Sequence, residues 1–116
     1  MKQPTVYLAG PMRGYKYFNF PRFDKYRDRL VSKGLKVISP ADIDRELGFN
    51  PFVTSDWEKF FTAKECIFRD LKAVADADAV VLMPKWQKSS GAMTEVVFAM
   101  FLNKPIYELP LLTKWK

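Results

Sequence analysis

The sequence predicts a single α/β domain in which helices cover both faces of a parallel sheet. Short apolar runs that end at glycine or proline alternate with stretches of helical periodicity along all 116 residues. One of these runs, AVVLMP at residues 79–84, is apolar throughout, as expected for a strand buried on both faces. A chain of this length with 48% apolar residues fits one domain, residues 1–116, with a real core. The order βαβαβαβ then predicts a doubly wound, Rossmann-like or flavodoxin-like sheet of four to five strands.

Four segments have the length and composition of strands, and each is bounded by a glycine or proline. They are residues 5–9, 35–40, 79–84 and 105–109. The first helix is predicted over residues 21–33, with Asn19 as its N-cap and Gly34 as its C′ residue. Its aromatic and aliphatic residues recur every three or four positions, which gives one buried face.

Two further helices and two irregular segments complete the prediction. The second helix begins at Ser55 or Asp56 and runs to about Val74, and the third follows the turn at residues 89–91 and runs to about Asn103. Residues 41–54 are expected to form an irregular loop that could act as a lid or substrate loop. Residues 111–116 are expected to be a short tail.

Composition narrows the class of partner. The formal charge of +6 favours acidic ligands, but the cations are scattered, so nucleic acid is the less favoured partner. The single cysteine, Cys66, rules out an internal disulfide and fits a cytoplasmic protein, and it is best interpreted as a small buried apolar residue. The sequence contains no signal-like segment and no apolar run near the roughly 20 residues that span a bilayer, so no membrane partner is expected.

The absence of histidine limits the possible chemistry. It excludes Ser-His-Asp and Cys-His catalysis and histidine-ligated metals, and one cysteine excludes a thiolate zinc site. No GxGxxG or GxxxxGK[ST] motif is present, which argues against dinucleotide oxidoreductases and P-loop ATPases. We therefore expect no metal and no cofactor, and any acid–base work must fall to carboxylates, lysines, tyrosines or Cys66.

The turn after the first strand, Gly-Pro-Met-Arg-Gly at residues 10–14, is a candidate ligand site. Ligands of open α/β sheets lie beyond the carboxyl ends of the strands. Gly10 and Gly14 would let backbone N–H groups approach an anion, and Arg13 would add a forked cation. The alternative is that the turn only ends an edge strand and that Arg13 points into water.

The segment SSGAMTE at residues 89–95 is the second candidate. Ser89 or Ser90 can cap the third helix, whose N-terminus would attract an anion. Glu95 lies about one turn inside that helix among apolar residues, where a carboxylate is costly unless it is satisfied or used. The alternative is a capping box in which Glu95 bonds back to the backbone. Asp70, expected late in the second helix, is a further candidate, whereas Asp76 and Asp78 are interpreted as turn or cap residues.

Taken together, these segments resemble the nucleoside 2-deoxyribosyltransferase-like superfamily. The resemblance covers nearly the whole chain in order, and its motifs are YLAGPM at 7–12, RDL at 69–71, ADAVV at 77–81, SGAMTE at 90–95 and KPI at 104–106. The nearest similarity is to a compact, often phage-borne and uncharacterised subgroup. The turn at residues 10–14 also resembles the phosphate-binding turn of 2′-deoxynucleoside 5′-monophosphate N-hydrolases. Met93 stands where those hydrolases often have glycine, and the chain ends too soon for a full fifth strand.

The resemblance implies roles for particular residues. Glu95 would be the nucleophile at C1′ of a deoxyribose, Asp70 would handle the proton on the departing base, and Tyr7 would orient Glu95. Substrate binding would fall to Gly10, Met12, Arg13, Gly14, Ser89, Ser90 and Gly91. The implied partner is a small nucleoside or nucleotide, and the implied assembly is a homodimer or higher homo-oligomer that completes the site.

The resemblance thus implies N-glycosidic bond cleavage or deoxyribosyl transfer on a (deoxy)nucleoside or its 5′-monophosphate. Hydrolase and transferase differ in whether water or a base intercepts the glycosyl-enzyme, and both remain open. The alternative is a protein that senses or sequesters a nucleotide-derived ligand in the same pocket without reaction.

Overall fold

The computed structural model describes residues 3–54 and 56–115, and its centre is a five-stranded sheet of order β2-β1-β3-β4-β5. The strands are β1 (Thr5–Ala9), β2 (Lys36–Ile38), β3 (Ala79–Leu82), β4 (Ile106–Glu108) and β5 (Thr113–Lys114). The first four are parallel, and the two-residue β5 pairs antiparallel with β4. The predicted parallel sheet is confirmed, and part of the predicted tail forms its fifth strand.

Four α-helices lie between these strands in the part of the chain that the structure describes. They are α1 (Phe20–Ser32), α2 (Pro40–Glu46), α3 (Ala63–Asp76) and α4 (Ser90–Phe101). Single 3-10 turns precede α1, α3 and α4, at Lys16–Asn19, Trp57–Lys59 and Trp86–Lys88. Within the described ranges, no helix is both long enough and apolar enough to cross a bilayer.

The prediction of an irregular segment over residues 41–54 is wrong for its first part. Residues 40–46 form α2, with Pro40 in its first turn, where the fixed φ of proline suits a helix start. A seven-residue helix is too short for its periodicity to stand out from a loop. Residues 47–54 are irregular, as predicted.

The predicted helix from residue 55 or 56 to residue 74 is also wrong in its first half. Ser55 lies outside the described residues, and α3 begins only at Ala63. The reason is a side-chain N-cap at Thr62 that the sequence prediction missed. The Thr62 hydroxyl accepts from the Glu65 N–H at 3.1 Å and donates to the Glu65 carboxylate at 2.8 Å.

The two faces of the sheet bury separate cores, because successive residues of a strand point to opposite sides. Val6 and Leu8 of β1 pack with the α1 side. Tyr7 and Ala9 pack with residues of α3 and α4. The chain leaves β1 toward one face and leaves the neighbouring β3 toward the other, which opens a crevice at their carboxyl ends.

Candidate active site

A cleft of about 480 Å³ lies at the carboxyl ends of β1 and β3, with walls from α3 and the start of α4. Its lining includes eight of the ten residues that the sequence and the resemblance singled out: Gly10, Met12, Arg13, Asp70, Ser89, Ser90, Gly91 and Glu95. Tyr7 lies behind Glu95, fully buried in β1. Gly14, with a φ of 83°, lies outside the lining.

Glu95 is held by a tyrosine rather than by the helix backbone. It is 5% exposed on α4, and the Tyr7 hydroxyl donates to Glu95 Oε2 at 3.0 Å. Ser89 is the N-cap of α4 and accepts from the Ala92 N–H at 3.1 Å. Glu95 therefore lies beyond the third helical position that a capping box requires, and the capping-box alternative is wrong.

Burial governs the protonation of both Glu95 and Tyr7. It raises the pKa of Glu95 well above the usual value for glutamate, and the nearby Asp70 raises it further, against the Tyr7 hydrogen bond and the Arg69 charge. Burial and the two carboxylates also raise the pKa of Tyr7 well above its usual value. Tyr7 therefore stays a donor, and Glu95 keeps a proton where an exposed glutamate would be ionised.

Asp70 is the second buried carboxyl of the cleft. Burial raises its pKa to about 6, with Arg69 opposing and Asp44 adding to the shift. The predicted position of Asp70, late in its helix, is wrong, because α3 continues to Asp76 and Asp70 lies in its middle. Burial, more than the helix dipole, therefore sets the pKa of Asp70. Two neighbouring buried carboxyls with raised pKa values titrate as a pair.

Arg69 and Asp44 complete the polar floor of the cleft. Arg69 Nη2 contacts Asp44 Oδ1 at 2.7 Å, and Arg69 Nε contacts Asp70 Oδ1 at 3.3 Å. Asp44 comes from α2, in the segment predicted to be a loop, and it is 1% exposed. The sequence reasoning missed Asp44, because nothing local distinguishes it from Asp42 on the same short helix.

A second cluster lies at the mouth of the cleft. The Arg13 guanidinium stacks over the Trp57 ring at 4.1 Å, so Arg13 is exposed to water yet held in place. Lys64 and Lys88 also line the cleft. None of these three cations forms an ion pair with a described residue. No local pattern in the sequence indicates that Trp57 would contact Arg13.

Two contacts fix the turn between β1 and Arg13. A Cβ added to Gly10 would lie 2.6 Å from Met83 Sδ and 2.9 Å from Met83 Cβ, so a larger residue would force Met83 to move. The Asn19 amide donates to the Pro11 carbonyl at 2.8 Å. Asn19 was predicted to cap α1, but it has a φ of 62° and makes no side-chain cap hydrogen bond. Its side chain holds the turn instead.

Asp76 and Asp78 fit their structural interpretations, whereas Cys66 packs against the core but is less buried than predicted. Cys66 is half-buried at the cleft wall, and burial raises its pKa to about 11, which keeps the thiol neutral. Asp76 ends α3 and pairs with Lys72 at 3.2 Å. Asp78 accepts from the Thr5 N–H at 2.8 Å, where the chain enters β3.

Comparison with known proteins identifies the family. Residues 4–108 match the model of a domain of unknown function, DUF4406. The chain belongs to this family. DUF4406 is nucleoside deoxyribosyltransferase-like, which confirms the resemblance seen in the sequence. No curated protein matches the chain.

A solved structure extends the comparison to the fold. A 2-deoxyribosyltransferase from the psychrotolerant bacterium Bacillus psychrosaccharolyticus superposes with a TM-score of 0.61 at 22% identity. The match covers 90% of this chain and 70% of that one. That protein is described as a biocatalyst for the synthesis of nucleosides. At this identity the likeness establishes a shared fold.

Proposed function

We propose that this protein cleaves the N-glycosidic bond of a deoxynucleoside 5′-monophosphate, or transfers its deoxyribosyl group, with Glu95 as the nucleophile. The observation that carries the proposal is the buried carboxyl pair, Glu95 and Asp70, at the sheet edge, with Tyr7 bonded to Glu95. Burying two carboxyls beside each other is costly, and a structural role would be served as well by apolar residues.

The pair can divide the work of glycosidic cleavage. Glu95 forms a bond to C1′ as the C1′–N bond breaks, and the bonding electrons pass to the base nitrogen. Asp70 supplies the proton that the departing base takes up. The transition state resembles an oxocarbenium ion, which an anionic carboxylate stabilises. Water or a second base then loses a proton to the Asp70 carboxylate as it attacks C1′ of the ester, which releases Glu95 as a carboxylate and restores the acid form of Asp70.

The raised pKa values of Glu95 and Asp70 suit their roles as nucleophile and acid. Burial raises the pKa of Asp70 to about 6 and raises that of Glu95 well above the usual glutamate value, so the pair keeps one proton at pH values where two exposed carboxyls would both be ionised. The reactive arrangement has that remaining proton on Asp70 and the negative charge on Glu95. Tyr7 favours this arrangement, because its hydroxyl donates to the carboxylate of Glu95.

The mouth of the cleft favours the phosphorylated substrate. Arg13, Lys64 and Lys88 supply positive charge near the opening, and α4 begins there with Ser89 as its N-cap. Helix N-termini and arginine forks both bind phosphate oxygens. We therefore expect a 5′-monophosphate to be preferred over the free nucleoside.

Release of free base tests the proposal. The protein is incubated with a panel of deoxynucleosides and their 5′-monophosphates, with and without a second base, and the products are separated by chromatography. Glu95→Gln is expected to reduce release by roughly 10³-fold or more. The matched control is Glu46→Gln, at an exposed position that ends α2.

Two outcomes contradict the proposal. One is no base release and no base exchange from any substrate by the folded wild-type protein. The other is full activity of Glu95→Gln. Thermal stabilisation by a monophosphate without product would instead support the alternative of a ligand-sensing or sequestering protein.

We further propose that the protein acts as a homo-oligomer. The outer side of α4 exposes Met93, Val97 and Phe101 at helical spacing, and Phe68 of α3 is also exposed. Val97 is 65% and Phe101 is 80% exposed, and a second copy of the chain would cover them. Val97→Lys is expected to lower the mass measured by light scattering, whereas Val31→Lys on α1 is expected to leave it unchanged. A monomeric wild type contradicts this part.

A further inference from the structure

An ion-pair bridge connects α2 with the floor of the cleft. Arg69 lies between two carboxylates, at 2.7 Å from Asp44 and 3.3 Å from Asp70. The side chains of Asp44 and Asp70 are 2% and 12% exposed, so water contributes little to their solvation. The contact to Asp44 is the shorter one, and it engages Nη2, while only Nε reaches Asp70.

The bridge is built on a fixed support. The Phe61 ring lies under the Arg69 guanidinium at 5.3 Å and packs against Phe49 at 6.0 Å. Phe49 is 1% exposed, and its N–H donates to the Asp44 carbonyl at 3.0 Å. The end of α2 and the guanidinium are therefore held by the same aromatic cluster.

We propose that Asp44 is a positioning residue for the carboxyl that handles the proton of the departing base. Because Asp44 accepts from Nη2 of Arg69, Asp70 accepts a single long hydrogen bond from Nε and forms no two-bond ion pair with the guanidinium. Asp70 is thereby oriented without being fully neutralised. This inference rests on the proposed function for its catalytic meaning, but the contact itself can be measured without turnover.

The expected effect on protonation follows from the groups that face Asp70. These are Arg69 and Cys66 on α3, Asp44 on α2, Glu95 on α4 and Tyr7 on β1. Removing the charge of Asp44 removes a group that raises the pKa of Asp70. It also releases Arg69 toward Asp70, which lowers that pKa. Both changes lower the pKa of Asp70, so a smaller fraction of Asp70 carries the proton at a given pH.

The test compares Asp44→Asn with Asp42→Asn, which removes another ion-paired carboxylate from the same helix. The titration midpoint of the Asp70 carboxyl is measured by ¹³C NMR, and kcat/KM for base release is measured against pH. Asp44→Asn is expected to lower the midpoint by roughly one pH unit. The limb of the kcat/KM profile that follows this midpoint should move with it, and the plateau should fall about tenfold. Asp42→Asn should change neither.

A second variant covers the case in which Asp44→Asn does not fold. Lysine at position 69 keeps the charge but presents one compact ammonium in place of a fork. That ammonium would stay with the more deeply buried Asp44, so Arg69→Lys is expected to raise the Asp70 midpoint. An unchanged midpoint in the folded variants overturns the inference, as does a loss of activity that follows thermal stability with no shift in the pH profile.

The two proposals fail separately. If the wild type releases no base while the Asp70 midpoint still falls in Asp44→Asn, the proposed function is overturned and the positioning contact is supported. If base is released and neither the midpoint nor the pH profile moves, the proposed function stands and the positioning role is overturned.

Discussion

Helix α2 contributes one aspartate to each of two ion-pair clusters that differ in their surroundings. The surface cluster joins Asp42 to Arg27 and Arg45, and Arg45 also binds Asp24 at 2.8 Å. The side chains of Asp24, Asp42, Arg27 and Arg45 are 26% to 34% exposed, and Asp28, which also pairs with Arg27, is 70% exposed. The cleft cluster joins Asp44 to Arg69 and Asp70, and the Asp44 side chain is 2% exposed.

The difference shows that burial, more than the number of charges, separates a structural cluster from a reactive one. In the surface cluster, water solvates every partner, and the carboxylates hold the pKa of Arg27 and Arg45 above the usual value. In the cleft cluster, burial raises the pKa of Asp44 and brings that of Asp70 to about 6. The cleft cluster therefore contains a carboxyl, Asp70, that can exchange a proton near pH 6.

Replacing one arginine in each cluster should give the largest difference in stability between the two clusters. Arg69→Met leaves Asp44 and Asp70 buried without a cation and is expected to cost about 3 to 5 kcal/mol of unfolding free energy at pH 8. Arg45→Met should cost about 1 kcal/mol or less. The loss in Arg69→Met should shrink as the pH falls, because burial raises the pKa of both carboxyls and protonation removes their unpaired charge. Urea denaturation at pH 8 and at a lower pH measures this, and equal losses for the two variants would contradict the comparison.

Glu95→Gln should stabilise the protein at high pH while it abolishes turnover. The folded-state pKa of Glu95 is raised, so the unfolded chain loses this proton first as pH rises. Wild-type stability therefore falls as pH rises from the usual glutamate pKa to the raised one, and glutamine removes that loss. The variant should match the wild type near pH 4 and exceed it by about 1 to 2 kcal/mol at pH 8. If Glu95→Gln is less stable than the wild type at pH 8 while Glu46→Gln is unchanged, the ionisation of Glu95 does not lower the stability of the wild type.

Asp42→Asn should have the smallest effect. The exposed ion pairs of Asp42 are worth at most about 0.5 to 1 kcal/mol, and salt screens them. The loss of thermal stability should be small at low salt and should nearly vanish at about 1 M NaCl. The corresponding loss in Asp44→Asn should persist in salt, because its partners are buried. A salt-independent loss in Asp42→Asn would show that the two clusters are energetically alike.

The sequence by itself determined the succession of the four parallel strands along the chain and the edge of the sheet at which the cleft lies. Apolar runs bounded by glycine and proline are local signals, and parallel strands bring their carboxyl ends to one edge. The same reasoning identified the turn at residues 10–14 and Glu95, since a carboxylate among apolar neighbours is visible in the chain. These features depend on residues a few positions apart, which is why they could be predicted.

Only the tertiary structure decided which side chains meet in the cleft. Asp42 and Asp44 are two residues apart on one helix, yet one faces a surface cluster and the other is enclosed beside Arg69. Likewise, Arg13 meets Trp57 across a long stretch of chain. The contact between Tyr7 and Glu95 is implied by the family resemblance, but no local signal in the sequence indicates it. Burial and its effect on pKa arise from how distant segments pack together, and a short helix such as α2 carries too little periodicity to show which side will be covered.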